Sequence, residues 1–131
     1  MLKAPENLTG LLQKLELQSQ KTPQDISLLK RLARLHLKNK AVEEARKVYN
    51  QILRADPDNI SAMVELSDCL IRLKQYSDAK FILERAQEVK PGYYGIFLGF
   101  SRLYEARKDA QKQVSFLMRA ANAAPEKPEL R

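Results

Sequence analysis

Apolar residues recur along this chain at the i, i+3, i+4, i+7 spacing of amphipathic helices. Leu28, Leu29, Leu32, Leu35 and His36 set one stripe, and Val42, Ala45, Val48, Tyr49 and Ile52 set the next. The polar break Lys38-Asn39-Lys40-Ala41 between them has the length of a helix-hairpin turn, and Lys74-Gln75 and Lys108-Asp109 mark the same break farther on. The pattern predicts helices near 26–39, 42–55, 60–73, 76–89, 94–107 and 110–123, and it predicts no strand. Ahead of these, Leu8, Leu11, Leu12 and Leu15 form the stripe of a separate helix, with Asn7 or Thr9 available as its cap. Asp25 and Asn59 stand where the following helices need N-caps.

The pattern repeats. Pro23, Pro57, Pro91 and Pro125 are each 34 residues apart, and the residues between them keep that step. Six positions after each proline come Leu29, Met63 and Phe97, and three further on come Leu32, Leu66 and Phe100. A small residue follows at once: Ala33, Ser67, Ser101. Later come Ala45 and Ala79, then Tyr49, Leu83 and Leu117, then Ile52, Ala86 and Ala120. Each proline falls where one unit hands over to the next, because proline cannot continue a helix.

Over residues 26–127 this pattern resembles the tetratricopeptide repeat, a 34-residue pair of antiparallel helices with large, leucine and small positions on the first helix and small positions on the second. The resemblance implies an all-α fold, an α-solenoid winding as a right-handed superhelix. It divides the chain into repeats 26–59, 60–93 and 94–127, preceded by 1–25 as a capping helix or a degraded half-repeat. The third repeat departs most: Gln113 replaces the expected alanine, and Ala110 stands where the second repeat has Tyr76. Gly95 and Gly99 inside its first helix are expected to weaken it further, since glycine in a helix costs roughly 0.5–1 kcal/mol relative to alanine.

Composition narrows the chemistry. One cysteine and one histidine leave no disulfide framework and no Cys/His zinc site, so no metal and no cofactor is expected. His36 falls on the core stripe, Cys69 on a small buried position, and Ser67 and Ser101 align with Ala33, so none reads as catalytic. Gly92, Gly95 and Gly99 lack the strand–turn–helix setting of a phosphate loop. The expectation is a non-enzyme. The run Tyr93–Phe100 is too short to span a bilayer, and the first residues have no apolar signal-peptide core. If Met1 is the native start, the expected location is cytoplasmic.

Lysine and arginine outnumber aspartate and glutamate by 23 to 16, for a net charge of +7. That balance makes nucleic acid worth weighing. The 34-residue step argues against the 35-residue RNA-reading repeat family, and no aromatic residues interleave the basic cluster for base stacking.

The resemblance implies a concave peptide groove lined by the first helix of each repeat. Its positions here are Lys30, Val64 and Leu98; Arg34, Asp68 and Arg102; Leu37, Ile71 and Glu105; and Lys38 and Arg72 with Ala106. The implied function is a protein–protein interaction scaffold, and the surface fits an acidic peptide or helix with apolar anchors. A secretion-type chaperone, built from an N-terminal helix and three repeats, is the alternative. The carboxylate clamp of one subgroup is disfavoured: only Lys30 matches, while Arg34, Glu65, Gly95 and Gly99 occupy its other positions. The last helix, carrying Val114, Phe116, Leu117 and Met118, has no successor to cover it, so self-association through 110–123 is expected.

Overall fold

The computed structural model describes residues 6–123, and within them every regular element is a helix. Seven follow in order: α1 (Glu6–Lys21), α2 (Ile26–Lys38), α3 (Val42–Ala55), α4 (Ile60–Arg72), α5 (Tyr76–Val89), α6 (Tyr94–Ala106) and α7 (Ala110–Ala123). Six of them match the helices that the apolar stripes predict to within a residue at each end. The N-terminal helix is longer than its stripe, and because α1 already begins at Glu6, Asn7 and Thr9 lie inside it and do not cap it. Pro125 and the charged tail after it lie outside the described residues.

Two kinds of connection join the helices. Four-residue links at 22–25, 56–59 and 90–93 each carry their proline at the second position. Asp25 ends the first link and caps α2, its Oδ1 accepting the Leu28 N–H at 3.1 Å; Asn59 caps α4 through Ala62 N–H at 2.9 Å. Tyr93 holds the third cap position with extended backbone and no side-chain hydrogen bond. Three-residue turns at 39–41, 73–75 and 107–109 close the hairpins. In each, the middle residue is a lysine in the left-handed region: Lys40 at φ 60°, Lys74 at 63°, Lys108 at 61°. The hydrogen bonds repeat as well. Ala41 N–H reaches His36 O and Lys40 N–H reaches Leu37 O, and the same two bonds run from Gln75 and Lys74 and from Asp109 and Lys108. This is the Schellman closure, which more often carries glycine at that position.

The chain forms two compact units, one up to Ala62 and one from Met63 onward. In the first, α1 packs on α2 and α2 on α3. Its core holds Leu12 and Leu15 from α1, Leu29, Leu32 and Ala33 from α2, and Ala45, Tyr49 and Ile52 from α3. Fully burying a large apolar residue of this kind stabilises by about 1.5–3 kcal/mol. Leu11 on α1 is exposed, so only part of the predicted stripe is core.

In the second unit, α5 packs on α6 and α6 on α7. Met63, Leu66, Leu70, Leu83, Ile96, Phe100 and Leu103 fill its core. Gly99 is buried there for a steric reason that the sequence does not show. A Cβ added to it would stand 2.6 Å from Leu83 Cδ2 and 3.6 Å from Ser67 Oγ. The missing side chain leaves room for the Leu83 side chain where α6 faces α5. At Gly95 an added Cβ would meet the Tyr93 ring instead, 2.7 Å from its Cε2.

The last helix attaches differently. Only Ala120 of α7 is buried among the described residues, and Leu117, in register with the buried Tyr49 and Leu83, is 39% exposed. Phe116 supplies the grip. Its ring lies 4.7 Å from Phe100 and 5.7 Å from Tyr104, nearly parallel to both, and 6.4 Å from Phe97. Each such pair adds about 0.5–1.5 kcal/mol beyond area burial.

Candidate functional site

The surface positions singled out along the first helices are all half-buried or exposed. On α2, Lys30 is half-buried and its Nζ donates to Ser61 Oγ at 2.8 Å, so this ammonium already has a structural partner. Arg34 and Lys38 are exposed, with Leu37 half-buried between them. Within the second unit, Val64, Asp68 and Ile71 of α4 are half-buried and Arg72 is exposed. Arg72 Nη2 lies 3.2 Å from Asp68 Oδ2, an i,i+4 pair across one turn. On α6, Leu98 is half-buried, while Arg102 and Glu105 are exposed. Leu98, Arg102 and Glu105 follow at i, i+4, i+7 and so share one helix face. Arg102 makes no hydrogen bond or ion pair among the described residues.

The residues with nucleophilic or titratable side chains are otherwise engaged. Ser67 and Ser101 are buried, and each hydroxyl donates to a carbonyl one turn back: Val64 O at 2.6 Å and Leu98 O at 2.9 Å. Cys69 is fully buried and forms no disulfide. His36 is 7% exposed; its Nε2 lies 3.8 Å from Glu16 Oε2 on α1, and its Nδ1 has no hydrogen-bond partner. No group of three metal-ligating side chains occurs among the described residues, and none of their helices is long and apolar enough to cross a membrane. At the start of α3, the hydrogen bond from Arg46 holds the Glu43 carboxyl below its ordinary range.

A cavity of about 300 Å³ lies at the α6–α7 turn and is lined by Lys80, Leu103, Tyr104, Arg107, Asp109 and Lys112, none of them a predicted surface position. Its sequence signal is a break in charge register. The first turn of α3 carries Glu43 and Glu44 and that of α5 carries Asp78, whereas that of α7 carries no acid.

The sequence pattern of the tetratricopeptide repeat matches residues 11–67 and again 42–92, together more than half of the chain. The chain belongs to the tetratricopeptide repeat family. Solved structures agree on the all-α solenoid fold. A tetratricopeptide repeat protein from Parabacteroides merdae superposes with a TM-score of 0.84 at 20% identity, over 95% of this chain and 48% of that one. The thermophilic repeat protein TTC0263 of Thermus thermophilus gives 0.79 at 22% identity, over 94% of this chain and 69% of its own. MamA from Desulfovibrio magneticus gives 0.75 at 18% identity, over 95% and 71%. The chain thus spans about half the length of the Parabacteroides protein. A search of curated protein sequences returns no match. Membership of this tetratricopeptide repeat family points to a protein–protein interaction scaffold.

Proposed function

We propose that this tetratricopeptide repeat chain is a non-catalytic scaffold whose first-helix faces, on α2, α4 and α6, hold an acidic segment of a partner protein that also carries apolar anchors. The observation that supports this best lies on α6. Arg102, exposed and without an intramolecular partner among the described residues, shares a face with the half-buried Leu98. A cation that no carboxylate neutralises, beside an aliphatic that the core does not claim, suits a ligand of opposite charge with an aliphatic side chain. The anchors would supply affinity, and the charges register and on-rate. A non-catalytic role is supported by the two serine hydroxyls donating to backbone carbonyls and by the burial of Cys69. The prolines and the equal links support three repeats at 26–59, 60–93 and 94–127, with α1 covering the first.

The test is selection from a displayed library of peptides, followed by affinity measurements on purified variants. Because Lys30 also holds Ser61, the charge reversal is made at Arg34→Glu with Arg102→Glu. The selected peptides are expected to be rich in Asp and Glu with interspersed aliphatics. The double reversal should weaken binding about tenfold and flatten its salt dependence. Ile71→Ala with Leu98→Ala should speed dissociation at unchanged salt dependence. Peptides that bind the double reversal as tightly as the parent would remove the first-helix faces from consideration.

A further inference from the structure

The cavity at the α6–α7 turn gathers cations from three parts of the chain. Its floor is Leu103, 1% exposed, with Tyr104 beside it. Three cations stand around it, Lys80 from α5, Arg107 from the turn and Lys112 from α7, against the single carboxylate of Asp109. That carboxylate is already engaged, its Oδ1 accepting the Lys112 backbone N–H at 3.1 Å as the N-cap of α7. None of the three cations has an ion-pair partner among the described residues. Arg107 and Lys112 rest on aromatic faces, with Arg107 Cζ 5.8 Å from the centre of the Tyr76 ring and Lys112 Nζ 5.2 Å from that of Tyr104. Three other cations do have carboxylate partners: Arg46 pairs with Glu43, Lys47 with Glu44 and Arg72 with Asp68.

The charge is also specific to this turn. At the repeat's step of 34, Lys112 corresponds to Asp78 and Glu44, and Arg107 to Leu73 and Asn39. Lys112 sits in the first turn of α7, where the positive end of the helix dipole disfavours a cation, and the N-cap carboxylate of Asp109 is the one acid beside it. An anion entering the cavity would meet three cations that Asp109 alone offsets.

We propose that this cavity binds the phosphoryl group of a small soluble ligand. A phosphoryl dianion presents three terminal oxygens and two negative charges to the three cationic heads, and the guanidinium of Arg107 can engage two of those oxygens as a fork. A carboxylate offers two oxygens and one charge, and leaves the third cation unmet. The volume lies at the small end of the range of about 300–1,000 Å³ that ligand pockets occupy, which suits a small solute better than a folded partner.

The experiment is an amide chemical-shift titration of the full chain with inorganic pyrophosphate at low salt. Saturable shifts are expected in residues 104–113 and around Lys80, weakening several-fold when salt is raised from about 50 to 200 mM. Arg107→Glu combined with Lys112→Glu should reduce affinity at least tenfold. Lys112→Glu restores an acid to the first turn of α7, so the fold survives and the helical circular dichroism should be unchanged. Lys47→Glu, in the first unit, should leave the titration unaltered. Shifts spread without saturation over the basic surface, or retained by the double reversal, would overturn the site. A phosphoserine peptide that binds these residues where pyrophosphate does not would overturn the small-ligand reading in favour of docking to a phosphorylated protein.

Discussion

Gly99→Ala adds one methyl group to a helix interior, where intrinsic propensity alone gives a gain of about 1 kcal/mol. The structure reverses that sign. The new Cβ would lie 2.6 Å from Leu83 Cδ2, roughly 1 Å inside the ~3.5–4.0 Å optimum for a carbon pair. Leu83 is fully buried and cannot swing into solvent. Overpacking of this kind costs about 1–3 kcal/mol, so the substitution should destabilise by about 1 kcal/mol net. Leu83→Val removes the offending δ-methyl at a cost of about 1 kcal/mol for the lost methylene. In that background Gly99→Ala should become stabilising, giving a coupling of roughly 2 kcal/mol between the two sites. Urea titration followed by helical circular dichroism measures all four proteins, and amide exchange in α6 localises the effect. If Gly99→Ala stabilises the parent chain, or if the effects of the two substitutions simply add, the room for Leu83 beside α6 does not depend on this glycine.

Phe116→Ala removes the ring that Phe100 and Tyr104 stack on, and with only Ala120 otherwise buried in α7, amide protection across 110–123 should fall while that of α5 persists; uniform loss in both would show that α7 does not open separately. Lys74→Gly relieves the left-handed backbone at φ 63° and should stabilise by about 0.5–1 kcal/mol, read as a raised Tm, whereas a lowered Tm would mean that the lysine stem contributes more than the backbone loses. Val114 and Met118 are 53% and 63% exposed on α7, so the protein should self-associate with rising concentration, and Met118→Glu should abolish this; sedimentation velocity showing a strict monomer at high micromolar concentration would refute it.

Much of the fold is legible in the sequence because its signal is local and repeated. Apolar spacing sets the helix faces, and the prolines and the residues Asp25 and Asn59 set the boundaries, so the six repeat helices fall within a residue of their expected ends. The differences concern contacts between elements. Gly99 looks like a defect until Leu83 stands against its missing side chain, and Leu117 holds the register of the buried Tyr49 and Leu83 yet is exposed on α7. A periodic pattern says which face of a helix is apolar, but it does not say whether another element arrives to cover it. For the proposed interaction surface, the spacing names positions that are half-buried or exposed, but it does not say how their charges pair. The Lys30 bond to Ser61 and the Arg72 pair with Asp68 depend on side-chain conformation that spacing leaves open. The α6–α7 cavity is hidden from a periodic reading because it consists of departures from the repeat, at Arg107 and Lys112, whereas periodicity displays only agreement.

The three-residue turns bear on how fast this chain reaches its native state. Each hairpin closes across Lys40, Lys74 or Lys108, with two backbone hydrogen bonds made inside six residues of chain. Two of the helix pairs that these turns join, α2 with α3 and α6 with α7, pack directly on each other, so burial follows closure without a long search. Loops this short lose little entropy on closing, and chains dominated by near-neighbour contacts fold in microseconds to milliseconds. Nucleation can therefore start at any of the turns. The first to form is expected where the left-handed residue strains the backbone least, and glycine substitutions would move that starting point along the chain.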